Sequence, residues 1–403
     1  MSIKWIYSGL LLIFLSYLSA CYSDQEANLQ AKGNNEEITM KSPLSEESFA
    51  DLSEDFVDWV KERQDKDEIP GVAIALISSQ REEVVVIEVF GKRDLKKQLP
   101  VTPDTLFHIG STQKSMTALL IATLVDEGIV DWDTTVINID PEFELGHADT
   151  TETVTLRHLL SMRSGIPDWA EDEFDLDNSE AEDIFDYLAE VELLGAPGEA
   201  FSYSNLAVSL GGYLAVLAID PEEEDLYEGY RELLQERILG LIGMESSTIY
   251  ASEAKRNPNY SRSYIVEDGE LFEAETEDFD GDPLAPAGSL KASITDMASY
   301  ISTQLNGGIS PNGTLVVSEE NLQQTHQPKW GNYGMGWEVS RDKGIELLSH
   351  GGAYDNFTSI IAIIPEYELG FVILTNSEEN ALDLIEQAPR KLIDLLVEAS
   401  KKN

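Results

Sequence analysis

A chain of 403 residues with 42% apolar content can bury a sizeable core and hold two to three average domains or one large two-part enzyme. Its 75 acidic residues outnumber the 27 basic ones, for a formal net charge of −48. That balance excludes nucleic acid and anionic membrane surfaces as electrostatic partners, since both require a basic footprint. The acid is spread over most of the chain and reads as a strongly solvated surface suited to a salty medium, with a cationic partner as the other reading.

Residues 1–20 read as an export signal: Lys4 gives a short positive start, Trp5 to Leu18 is almost wholly apolar, and Leu18-Ser19-Ala20-Cys21 closes it. The apolar run falls short of the roughly 20 residues that span a bilayer. Leu-Ser-Ala-Cys resembles the bacterial lipoprotein box. The resemblance implies cleavage before Cys21, lipid attachment to its thiol, and a place in the bacterial cell envelope facing away from the cytoplasm, in the periplasm or on the cell surface. Cys21 is the only cysteine, so neither an intrachain disulfide nor a thiolate metal site can be built. The five histidines show no His-x-x-x-His spacing, and no metal is expected. Residues 21–43 are polar and read as a flexible tether.

Phe49, Leu52, Phe56, Trp59 and Val60 recur at three- and four-residue steps and predict an amphipathic helix over 46–61. Gly71 to Ser78 and Glu83 to Phe90 are Val- and Ile-rich and predict a hairpin closed by Lys92-Arg93-Asp94. A helix from Ser111 to about Asp126 follows, stopped by Gly128. Thr155 to Ser161 predicts a short helix ending at a Gly165-Ile166-Pro167 turn, and the carboxylate-dense stretch 168–192 reads as solvated surface, with a rim or lid as the other reading. Leu206 to Ile219 is an apolar helix, and Ser293-Ile294-Thr295-Asp296 resembles a capping box opening a helix to Leu305. Tyr333–Ser340, Glu346–His350, Phe357–Pro365 and Leu369–Asn376 predict antiparallel strands before a closing helix over 381–399. The fold class is therefore α+β, an α/β sandwich: an antiparallel sheet flanked by helices and built from both chain ends (44–109 and 283–403), with an inserted, mainly helical lobe (110–282).

The chemistry concentrates in Phe107-His108-Ile109-Gly110-Ser111-Thr112-Gln113-Lys114. A serine hydroxyl needs a base within reach, and a lysine kept from water loses enough basicity to serve. Three residues apart at a helix start, Ser111 and Lys114 share one face, and the helix N-terminus favours developing negative charge. Ser-x-x-Lys recurs at Ser252/Lys255 and Ser340/Lys343, but those sit in polar segments with no apolar helix behind them; Ser340 to Gly344 reads as a solvated turn. Tyr203-Ser204-Asn205 precedes the next apolar helix, where Asn205 is either an N-cap or a site residue. Tyr354-Asp355-Asn356 repeats that pattern.

With His350-Gly351-Gly352 placed on a strand, the ordered set Ser111-x-x-Lys114, Tyr203-x-Asn205 and His350-x-Gly352 resembles the serine β-lactamase and penicillin-binding-protein superfamily. The nearest branch is the one holding class C β-lactamases, D-alanyl-D-alanine carboxypeptidases and esterases. Leu159 to Gly165, Pro197-Gly198 and Pro286-Ala287-Gly288-Ser289 extend the similarity over residues 45–400. The resemblance implies that Ser111 forms an acyl-enzyme and that Lys114 and Tyr203 share its proton, Tyr203 being the preferred general base. It also implies that Asn205 contacts substrate or holds Lys114, and that the N–H groups of Ser111 and Ala353 form an oxyanion hole beside His350 and Gly352. No cofactor is needed. The substrate is a small molecule or peptide with a carbonyl centre, and a monomer is expected.

Where dedicated β-lactamases carry Lys-Thr-Gly this chain has His350-Gly351-Gly352, which attracts an anionic β-lactam weakly. Esterase, amidase or D-amino-acid peptidase chemistry is favoured. The alternative is a catalytically silent module that binds or senses a cell-wall fragment. An α/β-hydrolase is excluded by the lack of Gly-x-Ser-x-Gly and of a parallel strand–helix rhythm.

Overall fold

The computed structural model describes residues 44–79, 84–267 and 269–402. The export signal, the Cys21 lipidation site and the tether expected up to residue 43 lie outside the described residues. Helix α1 (Glu46–Lys66) opens on Ser45, whose hydroxyl accepts from the Ser48 amide at 3.1 Å. Acidic residues in its first turn and basic ones in its last complement the helix dipole. It leads into β1 (Gly71–Ser78), β2 (Val84–Asp94) and the short β3 (Leu99–Pro100).

After a long, mostly helical middle segment the chain returns to the sheet through β4 (Glu338–Asp342), β5 (Ile345–Tyr354), β6 (Phe357–Ile364) and β7 (Leu369–Thr375). The seven strands stand in the order β3-β2-β1-β7-β6-β5-β4, and the pairings of β1, β7, β6, β5 and their neighbours are antiparallel. Both chain ends therefore meet at the β1–β7 pair, whose residues are buried throughout. Helices cover both faces. On β7, Phe371 meets Phe56 of α1 edge to face at 5.4 Å, while a side chain at the adjacent Gly370 would strike Ile301. Successive strand residues point to opposite faces, so α1 lies on one side and the helix carrying Ile301 (Ile294–Leu305) on the other. The sandwich is of the expected α+β class.

Local differences have simple causes. The strand expected at 333–340 is confined to Glu338–Asp342, and Ser340-Arg341-Asp342, expected as a turn, belongs to it; the turn falls at Lys343-Gly344, both with positive φ. The strand expected to end at His350 continues to Tyr354, because Gly351 and Gly352 stay extended when paired with β6. The second Tyr-x-Asn is a hairpin: Asp355 and Asn356 both have positive φ and join β5 to β6 in the primed geometry that suits sheet twist. The Ser293 hydroxyl accepts from the Asp296 amide at 3.1 Å as expected, but the Asp296 carboxylate turns to Ser246 and Ser247 instead of closing the box.

Candidate active site

Ser111 sits in a single 3-10 turn, Gly110–Gln113, that runs directly into helix α2 (Lys114–Asp126). Eleven of that helix's thirteen residues, Lys114 through Leu124, are buried, so the turn is anchored by its own core. Gln113 fastens it further: its amide nitrogen donates to the Ala285 carbonyl at 2.8 Å and its oxygen accepts from the Leu290 amide at 2.7 Å. The segment Pro286–Ser289 thereby lies against the start of α2, and the Ala287 carbonyl accepts from Lys114 Nζ at 2.9 Å.

Lys114 is 1% exposed and its Nζ lies 2.8 Å from Ser111 Oγ. Burial pulls its ammonium down to about 7, opposed by the negative charge of Glu171. A neutral amine here can donate to Ala287 and still offer a lone pair to the serine proton. The Tyr203 side chain stands beside this pair, with Lys114 Nζ 5.0 Å from its ring centre. Burial pushes that phenol above its ordinary range, partly offset by the neighbouring Ser111 hydroxyl.

The Tyr203 turn is held by the 159–165 motif. Met162 adopts a positive φ, its carbonyl accepts from the Ser202 amide at 3.0 Å, and the Arg163 carbonyl accepts from the Gly198 amide at 2.8 Å. The next helix, α3 (Asn205–Ile219), is capped by Ser204, whose hydroxyl accepts from the Ala207 amide at 3.2 Å. That leaves the Asn205 side chain free of capping. It bonds neither to Lys114 nor to the turn: its nitrogen donates to both Glu171 oxygens, at 3.0 and 2.8 Å, and its oxygen is buried without a partner.

The third wall is the open edge of β5. Strand β4 pairs only with Ile345 to Ser349, so His350 to Tyr354 carry a partner, β6, on one side alone. With the two-residue turn closing on Tyr354 and Phe357, alternation of the ladder directs the Ala353 N–H to the open side. Gly110, at φ +53°, packs so closely there that a side chain on it would come within 2.7 Å of Ala353 N. At Gly352 a Cβ would lie 2.1 Å from the Ile109 carbonyl oxygen and 3.1 Å from Ser111 N. Glycine at this position allows the two backbones to meet. Ser359, opposite Gly352, donates to the same Ile109 carbonyl at 2.6 Å.

His350 is 3% exposed. Its Nδ1 donates to the Gly351 carbonyl at 2.6 Å, which makes Nε2 the acceptor for the Tyr333 hydroxyl at 2.9 Å. Burial, with the nearby Lys114 charge adding to it, holds the imidazole down to about 3. It is neutral at any ordinary pH.

The structure thus gathers Ser111, Lys114 and Tyr203 in one cluster, sets Gly352 and Ala353 against the serine turn, and ties Asn205 to Glu171. The other two Ser-x-x-Lys pairs are elsewhere: Lys255 donates to the Asp278 carbonyl and Lys343 pairs with Asp394. Sequence reasoning missed Glu171, Tyr333 and Glu338. Glu171 comes from the acidic stretch, in a short helix Ala170–Glu173, and burial raises its carboxyl well above the usual range. Burial likewise raises Glu338 to about 7. Tyr333 lies in Tyr333-Gly334-Met335-Gly336-Trp337, whose paired glycines among aromatics were the available signal.

A mixed sandwich with a serine at a helix entrance, a buried lysine one turn on and a glycine-lined strand edge defines the serine-hydrolase-type fold shared by β-lactamases and penicillin-binding proteins. The chain belongs to the Beta-lactamase family, whose model matches residues 56–395. It is 26% identical over 333 residues to protein flp of Staphylococcus aureus (strain MW2), covering 82% of this chain and 64% of that protein. It is 27% identical over 356 residues to an unguisins hydrolase of Aspergillus campestris, covering 83% of this chain and 63% of that protein. The chain therefore spans a little under two thirds of these relatives. In structure it resembles the octameric penicillin-binding protein homologue from Pyrococcus abyssi, with a TM-score of 0.69 and 26% identity over 85% of this chain and 77% of the other.

Proposed function

We propose that the protein is a serine hydrolase that opens ester, amide or D-amino-acid peptide substrates through an acyl-enzyme on Ser111. The observation that carries this reading is the buried Lys114 amine within 2.8 Å of Ser111 Oγ at the entrance of a helix. Lys114, neutral, takes the Ser111 proton as Oγ attacks the substrate carbonyl carbon. The oxyanion forms between the N–H groups of Ser111 and Ala353, each such donor being worth about 10²–10³ in rate. Collapse expels the leaving group, which receives the proton through the Lys114–Tyr203 pair; water then adds to the acyl carbon and frees Ser111. The elevated Tyr203 phenol weighs against a resident tyrosinate, so Lys114 replaces Tyr203 as the preferred base, with Tyr203 relaying the proton. The buried, unpartnered Asn205 oxygen suits an amide N–H of the substrate.

Neutral His350 gives an anionic carboxylate no point charge to bind, so neutral esters and amides should acylate faster than penicillins. We further propose that residues 44–403 form the enzyme, a monomer with the lobes outlined from sequence, carried on a lipid at Cys21 in the bacterial envelope. Intact-mass analysis of the chain from residue 22, with a fluorophosphonate, a penicillin and a p-nitrophenyl ester, tests the chemistry. An adduct present in the native protein and absent in Ser111→Ala is expected. A folded protein that takes no adduct from any probe would sink the enzyme and leave the silent binding module.

A further inference from the structure

Away from Ser111, a cavity of about 110 Å³ is lined by Arg93, Lys97, Lys255, Arg256, Arg262 and Tyr260. Five cations at one point is unexpected in a chain that has 27 in all against 75 acids. They come from separate places: the end of β2, the turn after it, a short helix Ala251–Arg256 and the extended stretch that follows. The one carboxylate among the lining residues, Asp94, is already 3.2 Å from Lys97 Nζ. Random surface composition at a net charge of −48 does not assemble such a point.

The hydrogen-bond inventory indicates what the cavity accepts. Lys255 gives one N–H to the Asp278 carbonyl at 2.5 Å, Arg93 gives one to the Pro100 carbonyl, and Arg262 lies 3.6 Å from Glu273, both partly exposed. Arg256 is exposed and has no ion pair among the described residues. Two further groups are buried with no partner: Arg93 Nε and the hydroxyl of Tyr260, a residue 6% exposed. Buried unsatisfied donors are costly and call for a partner such as a bound water or ion. Guanidinium and ammonium groups only donate, so the complementary occupant is acceptor-rich and negative.

We infer that this cavity is a binding site for one small oxyanion, a phosphate, sulfate or carboxylate group. None of its lining residues belongs to the candidate active site. It nevertheless adjoins the hairpin that carries Ala353, because the Tyr260 ring stacks on Phe357 at 5.9 Å and 22°. Screening confines the repulsive field of distant carboxylates to about 8–10 Å at moderate salt, so a local cluster can hold an anion within a very acidic molecule.

The test is calorimetric titration with inorganic phosphate, sulfate and acetate, with melting curves alongside and ionic strength held constant with sodium chloride. Saturable one-site binding of at least one of the three is expected, with a matching rise in Tm. Lys97 and Arg256 are exposed, so Lys97→Gln with Arg256→Gln should fold normally and weaken binding at least about tenfold, the scale of a lost charge-assisted hydrogen bond. Tyr260→Phe, which keeps the ring stack, should weaken it severalfold. Binding of phosphate and sulfate without acetate would specify a tetrahedral group, and binding of all three any oxyanion. Equal stabilisation by chloride at matched ionic strength, or full phosphate binding by the double variant, would overturn the site and leave only general charge screening.

Discussion

At the scale of single residues, the proposed chemistry turns on the protonation of Lys114. Burial lowers its pKa to about 7, and only the neutral amine can take the serine proton. The acylation rate should therefore rise with pH through an inflection near 7 and fall away as Lys114 becomes charged below it, which a stopped-flow pH profile with a neutral ester would read. The Glu171 charge opposes that lowering, so Glu171→Gln should move the inflection to lower pH; an unmoved or raised inflection would assign the limb to another group. The same burial disfavours the charged lysine in the fold at neutral pH. Lys114→Met should abolish acylation while leaving Tm unchanged or a few degrees higher, the trade of stability for activity common at catalytic sites. A marked drop in Tm would mean that the bonds to Ala287 and Ser111 outweigh the desolvation.

At the scale of elements, the site depends on one strand edge pressed against one helical turn. In Gly352→Ala the new methyl group would meet the Ile109 carbonyl at 2.1 Å, contact that neither backbone can relieve without separating. Acylation should fall by about 10²–10³ and stability by about 1–3 kcal/mol, measured by ester burst kinetics and urea unfolding. Native acylation in this variant would remove β5 from the oxyanion hole. Much of this was legible in the sequence: periodicity marks α1, α2 and the β1–β2 and β6–β7 strands, and the family resemblance carried by the ordered set Ser111, Tyr203 and His350 implies which elements converge. The rest was hidden for physical reasons. Glu171 looks like any other solvated carboxylate of the 168–192 stretch until the fold half-buries it against Asn205. Ser204 and Asn205 are both good N-caps, and only the backbone decides that Ser204 takes the role. Tyr333 serves the site because β5 brings His350 within 2.9 Å of it, a pairing that local sequence does not encode.

At the scale of the whole molecule, the net charge of −48 sets the conditions in which these elements hold together. Among the described residues only a handful of cations are committed to carboxylates deep in the fold; Lys291, fully buried beside Asp278 at 2.8 Å, is the clearest. Most of the remaining acid among the described residues lies at the surface outside any ion pair, and its mutual repulsion is relieved when the chain expands. Salt shortens the range of that repulsion from about 30 Å at 0.01 M to about 3 Å at 1 M. The melting temperature should accordingly climb steadily with sodium chloride over that interval, most steeply at the low end where screening changes fastest. A protein stabilised chiefly by surface ion pairs would respond in the opposite sense, since salt weakens attraction as well as repulsion. Differential scanning calorimetry over the same salt series separates the two: a flat or falling Tm would mean that the exposed carboxylates are locally neutralised, and that the acidity has no part in the salt tolerance read from the composition.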